Sequence, residues 1–96
     1  MKGHAIFYVQ GITDHERLKA YQVAAHPSVR AFGGKVIAAY GQQEVVEGDE
    51  VRGIVLIQFP DYKSATDWYH SPEYQAAKKI RHGAVTCHTV IFEGRE

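Results

Sequence analysis

The chain has a single cysteine, Cys87, so no intrachain disulfide can form and nothing in the composition asks for an oxidising compartment. It also lacks an excess of either charge, with eleven Lys plus Arg against eleven Asp plus Glu. A protein that holds phosphate backbones through charge needs a basic surplus, so nucleic acid is disfavoured as a partner. Long hydrophobic runs are missing too. The early apolar stretch AIFYV, residues 5–9, is too short for a signal h-region or a membrane span, and polar Gln10 and Gly11 follow it. There is no repeat, no low-complexity tract and no linker rich in proline or serine, so residues 1–96 are read as one domain, soluble and cytoplasmic.

Chemical motifs are equally sparse. No GxSxG, P-loop or dinucleotide fingerprint occurs, and Gly33-Gly34 follows a helical stretch where a phosphate loop would precede one. Six histidines invite a metal hypothesis, yet no two of them have i, i+4 spacing and none has a CxxC-like companion. No metal site and no cofactor are therefore expected. Cys87 and His88 are adjacent in a strand-like stretch, where neighbours point to opposite faces, so they cannot act as thiol and base. Cys87 reads as a small core residue.

What is present is a regular order of elements. GHAIFYVQG, residues 3–11, reads as a strand. A helix follows, with Thr13 and Glu16 in capping-box spacing and Leu18, Tyr21 and Ala25 on one face. Pro27 should kink or restart it before the glycine pair stops it. KVIAAYGQQEVVEGDE, residues 35–50, reads as a strand bent near Gly41 and ending in a turn at Gly48 and Asp49. RGIVLIQFP, residues 52–60, is the clearest strand. Asp61 is placed to cap a second helix, which breaks at Ser71-Pro72 and restarts with Ser71 as a new cap. Residues 84–94, AVTCHTVIFEG, give the last strand.

The order β-α-β-β-α-β describes an α+β ferredoxin-like plait, a four-stranded antiparallel sheet with its helices on one face. A half-exposed sheet should alternate apolar with polar residues, but IVLI, IFYV and TVIF are apolar at successive positions. Two helices cannot cover both faces, and the economical cover for the other is the sheet of a second copy. A homodimer is the expectation. The RNA-recognition module shares this element order, but RGIVLIQF carries Ile54 and Leu56 where base-stacking aromatics would be required.

AFGGK at 31–35, VEGD at 46–49, LIQFPDYKSATDWYHSPEYQ at 56–75 and the helix end with Arg81 resemble the domain of unknown function 1330 family, within the dimeric α/β barrel superfamily. The resemblance spans nearly the whole chain and implies a ferredoxin-like subunit that pairs through its sheet. The family has no settled reaction. Superfamily relatives include cofactor-independent oxygenases, haem-degrading enzymes, isomerases and lyases, and members without known activity, so fold alone does not choose.

The interrupted helix of residues 67–83 is the place to seek a site. A helix break beside Trp68 and Tyr74 can widen the space between sheet and helices, and a gap lined by aromatics is how small-ligand pockets are built. The resemblance implies a pocket in the same place, with contributions from the first strand and second helix. Candidate substrate-binding residues are Trp68, Arg81, Tyr8, Tyr74 and His70, with His82 and His26 as candidate acid/base groups. Arg81 would hold an anionic group such as a carboxylate or enolate. Two readings go forward: a small-molecule site with cofactor-independent acid/base chemistry of lyase, isomerase or oxygenase type, and a non-catalytic dimeric binding or regulatory module.

Overall fold

The structure is a computed structural model that describes residues 1–95. Its elements are β1 (Gly3–Ile12), α1 (His15–Ala31), β2 (Lys35–Ala39), β3 (Gly53–Phe59), α2 (Tyr62–His70), α3 (Pro72–Arg81) and β4 (Val85–Glu93). The strands form one antiparallel sheet in the order β2-β3-β1-β4. With the helices on one face this is the ferredoxin-like plait. Among the described residues, no helix is long and apolar enough to cross a membrane.

Strand parity sorts the side chains. Ala5, Phe7 and Val9 of β1 with Ile57 and Phe59 of β3 face the helices and are buried there. The opposite face carries cross-strand rows of apolar and aromatic residues: Leu56, Ile6 and Val90 in one, Ile54, Tyr8 and His88 in the next. Tyr8 (37%), Val90 (48%) and Phe92 (38%) remain exposed on it.

Local chemistry explains most boundaries and corrects some expectations. Asp14, not Thr13, caps α1 by accepting from the Arg17 N–H; Thr13 instead donates its hydroxyl to the Gly83 carbonyl, 3.2 Å away, tying α1 to the end of α3. An aspartate at this position is the stronger acceptor. Helix α1 continues unbroken through Pro27. Pro27 and Val23, whose carbonyl loses its partner there, are both exposed, so water can take over the lost hydrogen bond. The helix ends at Phe32, followed by Gly33 with φ +76°, the left-handed conformation that glycine adopts without a Cβ clash.

Strand β2 is shorter than the sequence pattern suggests, and its register slips between Val36 and Ala38 rather than near Gly41. Tyr40, at φ 55°, turns the chain out of the sheet, and residues 40–52 run exposed apart from half-buried Val51, without regular structure. Asp61 and Ser71 cap α2 and α3 as expected, Pro72 occupying the first turn of α3.

The three helices divide the sheet unequally. Helix α2 lies on β1, β3 and β4, whereas α1 packs on α3 and touches the sheet only lightly. The core of Phe7, Phe59, Trp68 and Tyr74 fills the α2 side. A space stays open under α1.

Candidate functional site

That space is a cavity of about 180 Å³. Its walls are mostly apolar: Val9, Leu18, Val29, Val36, Val55, Ile57 and Val85, with aromatic surface from Phe7, Tyr21, Tyr40 and Trp68. Its polar groups are few. Gln22 and His26 of α1 are exposed at its border, and Arg81 and Cys87 line the interior.

Arg81 is the unusual member. It occupies the last turn of α3 and is only 8% exposed, yet among the described residues it meets no carboxylate. Its Nη1 donates to Cys87 Sγ at 3.5 Å, an ordinary length for sulfur, and its Nη2 to the Tyr74 hydroxyl over 3.4 Å, a long contact. Its Nε–H is buried and has no partner among the described residues. The guanidinium carbon lies 5.3 Å from the Tyr21 ring centroid and 6.0 Å from that of Phe7, so aromatic rings supply the surroundings that an acid usually would. Burial works against the charge, but the Tyr74, Cys87 and Tyr21 heteroatoms outweigh it and raise the pKa above its already high value. Arg81 is therefore a permanent cation in an apolar setting.

The tyrosines beside it are permanently neutral near physiological pH. Burial, followed by the proximity of Tyr74, raises the Tyr21 hydroxyl far above its ordinary value, and burial raises Tyr74 as well. The two hydroxyls are 2.9 Å apart. Either hydroxyl can donate in this pair, since the Tyr74 oxygen has two lone pairs and accepts from Arg81 with one of them; when Tyr74 donates, the Tyr21 proton is left for another acceptor.

Trp68 is fully buried between Phe59, Phe7 and Tyr74, and its indole N–H donates to Ser28 Oγ at 3.1 Å. Ser28 in turn donates to the Ala25 carbonyl, so the polar edge of the indole is satisfied inside the core. The Ser71-Pro72 break helps to set this up. Ser71 caps α3 through the Tyr74 N–H and donates its hydroxyl to the Trp68 carbonyl, placing Trp68 and Tyr74 with ring centroids 4.2 Å apart.

Of the residues singled out from the sequence, the fold brings Trp68, Arg81 and His26 to the cavity and Tyr74 directly behind Arg81. It sets the others elsewhere. Tyr8 lies on the opposite face of the sheet, since Phe7 takes the inward position next to it. His70 is exposed at the end of α2 against the edge of Tyr69. His82 is exposed just past α3, its carbonyl accepting from Arg17 Nη2 at 2.6 Å. Sequence reasoning did not assign Tyr21, Tyr40 or Cys87 to the site. Tyr21 left a signal: an inward-facing tyrosine needs a partner for its hydroxyl. Among the described residues, no three His, Cys, Asp or Glu side chains gather in a group fit to hold a metal ion.

The family model described as Domain of unknown function (DUF1330) matches residues 2–95. The chain belongs to the DUF1330 family. No curated protein matches it by sequence. Several solved structures share the fold at low identity. A protein of unknown function from Rhodopseudomonas palustris superposes with a TM-score of 0.78 at 18% identity, covering 99% of this chain and 83% of its own. A dimeric ferredoxin-like protein of unknown function from Thermobifida fusca gives 0.65 at 13% identity, over 98% and 92% of the two chains. SnoaB, a cofactor-independent oxygenase from Streptomyces nogalater, gives 0.58 at 14% identity, over 99% and 92%. At such identities the likeness is one of fold.

Proposed function

We propose that this DUF1330 protein is a homodimer whose subunits each bind a small organic anion between sheet and helices. The observation that carries the reading is Arg81: a cation 8% exposed, without an acidic partner among the described residues, lining an apolar cavity. An unpaired buried charge is expensive to keep, and an anionic ligand in a water-poor site is what would neutralise it. The dimer reading rests on the row of Leu56, Ile6 and Val90 and on exposed Phe92, an apolar sheet face of the kind that soluble proteins cover. The Thermobifida fusca neighbour is described as dimeric, in keeping with it.

His26 at the cavity border favours a second reading, in which the bound anion undergoes cofactor-independent acid/base chemistry with this histidine moving a proton. SnoaB, described as a cofactor-independent oxygenase, has the same fold. The alternative is a binding or regulatory module that releases its ligand unchanged. A thermal-shift panel of small organic anions and their neutral isosteres, run on the protein and on Arg81→Met, tests the binding reading. Anions should raise the melting temperature of the unmodified protein and leave Arg81→Met unmoved; no anion effect in either would remove the reading. Turnover of any hit, compared with His26→Ala, then separates enzyme from module.

A further inference from the structure

The cavity's size, its aromatic walls and the directions of its unspent donors narrow the ligand further, if the anion reading above is right. We infer that the ligand is a monocarboxylate carried on a single planar ring, with Arg81 and the Tyr21 hydroxyl as its two anchors.

Size sets the ring count. An apolar cavity of about 150 Å³ accommodates one benzene molecule, and a water-sized polar group occupies about 30 Å³. The cavity of about 180 Å³ thus matches one six-membered ring plus one carboxylate. A two-carbon acid would leave apolar wall uncovered. The walls suit a flat ligand because Phe7, Tyr21, Tyr40 and Trp68 all contribute to them, and stacked or edge-on ring contacts add to simple burial.

Charge sets the anion's valence. Among the described residues, Arg81 is the only Arg or Lys lining the cavity, so a dianion would find no second permanent cation. The rings of Tyr21 and Phe7 lie beside its guanidinium carbon, and its N–H donors lie in the guanidinium plane. Among the described residues two of its five N–H groups are engaged, one by a weak sulfur acceptor and one in a long contact. An in-plane edge with unspent donors matches a carboxylate's two oxygens. A carboxylate beside Tyr21 selects the arrangement in which Tyr74 donates to Tyr21, and the Tyr21 hydroxyl then supplies a neutral second donor at the cavity wall. Tyr21 is a binding residue in this scheme, not a base.

The test uses benzoate, hexanoate and benzamide on the full chain, with binding read by titration calorimetry. A second readout is the rate at which iodoacetamide alkylates Cys87, the only thiol in the chain, which also lines the cavity. Benzoate should bind in the millimolar range or tighter and slow alkylation as it saturates. Benzamide should bind at least about tenfold more weakly, the loss expected when a charge-assisted hydrogen bond becomes neutral. Hexanoate should also trail benzoate, and Tyr21→Phe should weaken benzoate without weakening benzamide to the same degree. Hexanoate equal to benzoate would overturn the ring assignment and leave the anion reading standing. Benzamide equal to benzoate, or no binding by any of the three, would overturn the anion reading itself. These comparisons run on the unmodified protein, so they hold even where Tyr21→Phe folds poorly.

Discussion

Replacing Arg81 with methionine separates a cation kept for the fold from one kept for a ligand. Two hydrogen bonds and two ring contacts would be lost, each worth about 1–2 kcal/mol. Against that loss stands relief from burying an uncompensated charge, a penalty of several kcal/mol after relaxation. The Tyr74 hydroxyl would keep Tyr21 as its partner, so the substitution strands no buried polar group. Methionine's flexible thioether refills the space of the arginine stem. The two sides nearly cancel or favour the variant, and Arg81→Met should be no more than about 1 kcal/mol less stable, or more stable than the parent. Urea unfolding followed by circular dichroism gives the midpoint and slope, with about 1 kcal/mol corresponding to a shift of roughly 4–8 °C in a thermal scan of a domain this size. A loss of about 3 kcal/mol or more is what breaking a buried pair costs. That result would mean that the guanidinium holds the fold together, and the reasoning from its isolation would fail.

Leu56→Asp puts a carboxylate in the middle of the Leu56, Ile6 and Val90 row and should turn the dimer into monomer or unfold it; sedimentation showing a monomer for the unmodified chain would refute the proposed sheet pairing. Gly33→Ala should cost on the order of 1 kcal/mol or more in urea unfolding, since φ is +76° and the added Cβ would come within 3.0 Å of the Pro60 ring; an unchanged midpoint would contradict this. Alkaline pH should destabilise the protein. The folded-state pKa values of Tyr21 and Tyr74 are raised, so their stability is fully present below the unfolded value of about 10 and is lost as pH rises above it, because only the unfolded chain then releases the protons. Urea midpoints at mildly and strongly alkaline pH should diverge, and Tyr21→Phe should lessen the divergence; equal midpoints would count against the burial of these hydroxyls. Trp68→Ala should lower stability by about 3–5 kcal/mol, as for other buried tryptophans, and an effect under about 1 kcal/mol would mean that the core tolerates the hole.

The element order, the caps at Asp61 and Ser71 and the stop after Phe32 were legible because each rests on a local rule: a cap spacing, a proline at a helix start, a glycine pair. That Trp68 and Arg81 lie at the cavity was legible because Trp68 flanks the visible helix break and Arg81 ends the helix that restarts there. The parity of β1 was not. Phe7 and Tyr8 are both aromatic, and the apolar character of both sheet faces that points to a dimer also hides which face holds the helices. His82 follows Arg81 directly, and one step along the chain at the helix end carries the side chain from buried to exposed. Which partners Tyr21 and Cys87 meet was out of reach for another reason. Their significance comes from Arg81 and Tyr74, contacts that join β4 and α1 to α3 through the tertiary fold and leave no trace in local spacing. That α1 packs on α3 and only lightly on the sheet, which leaves room for the cavity, is likewise a packing outcome.

Trp68 supplies the most direct measurement, because it is the only tryptophan in the chain and lies at the cavity with its indole N–H held by Ser28. Its indole resonance in a nitrogen–proton correlation spectrum should move saturably as benzoate is added to the unmodified protein and stay still in Arg81→Met. An indole signal that does not respond in the parent, or that responds equally in both proteins, would contradict the claim that Arg81 and the cavity form an anion site.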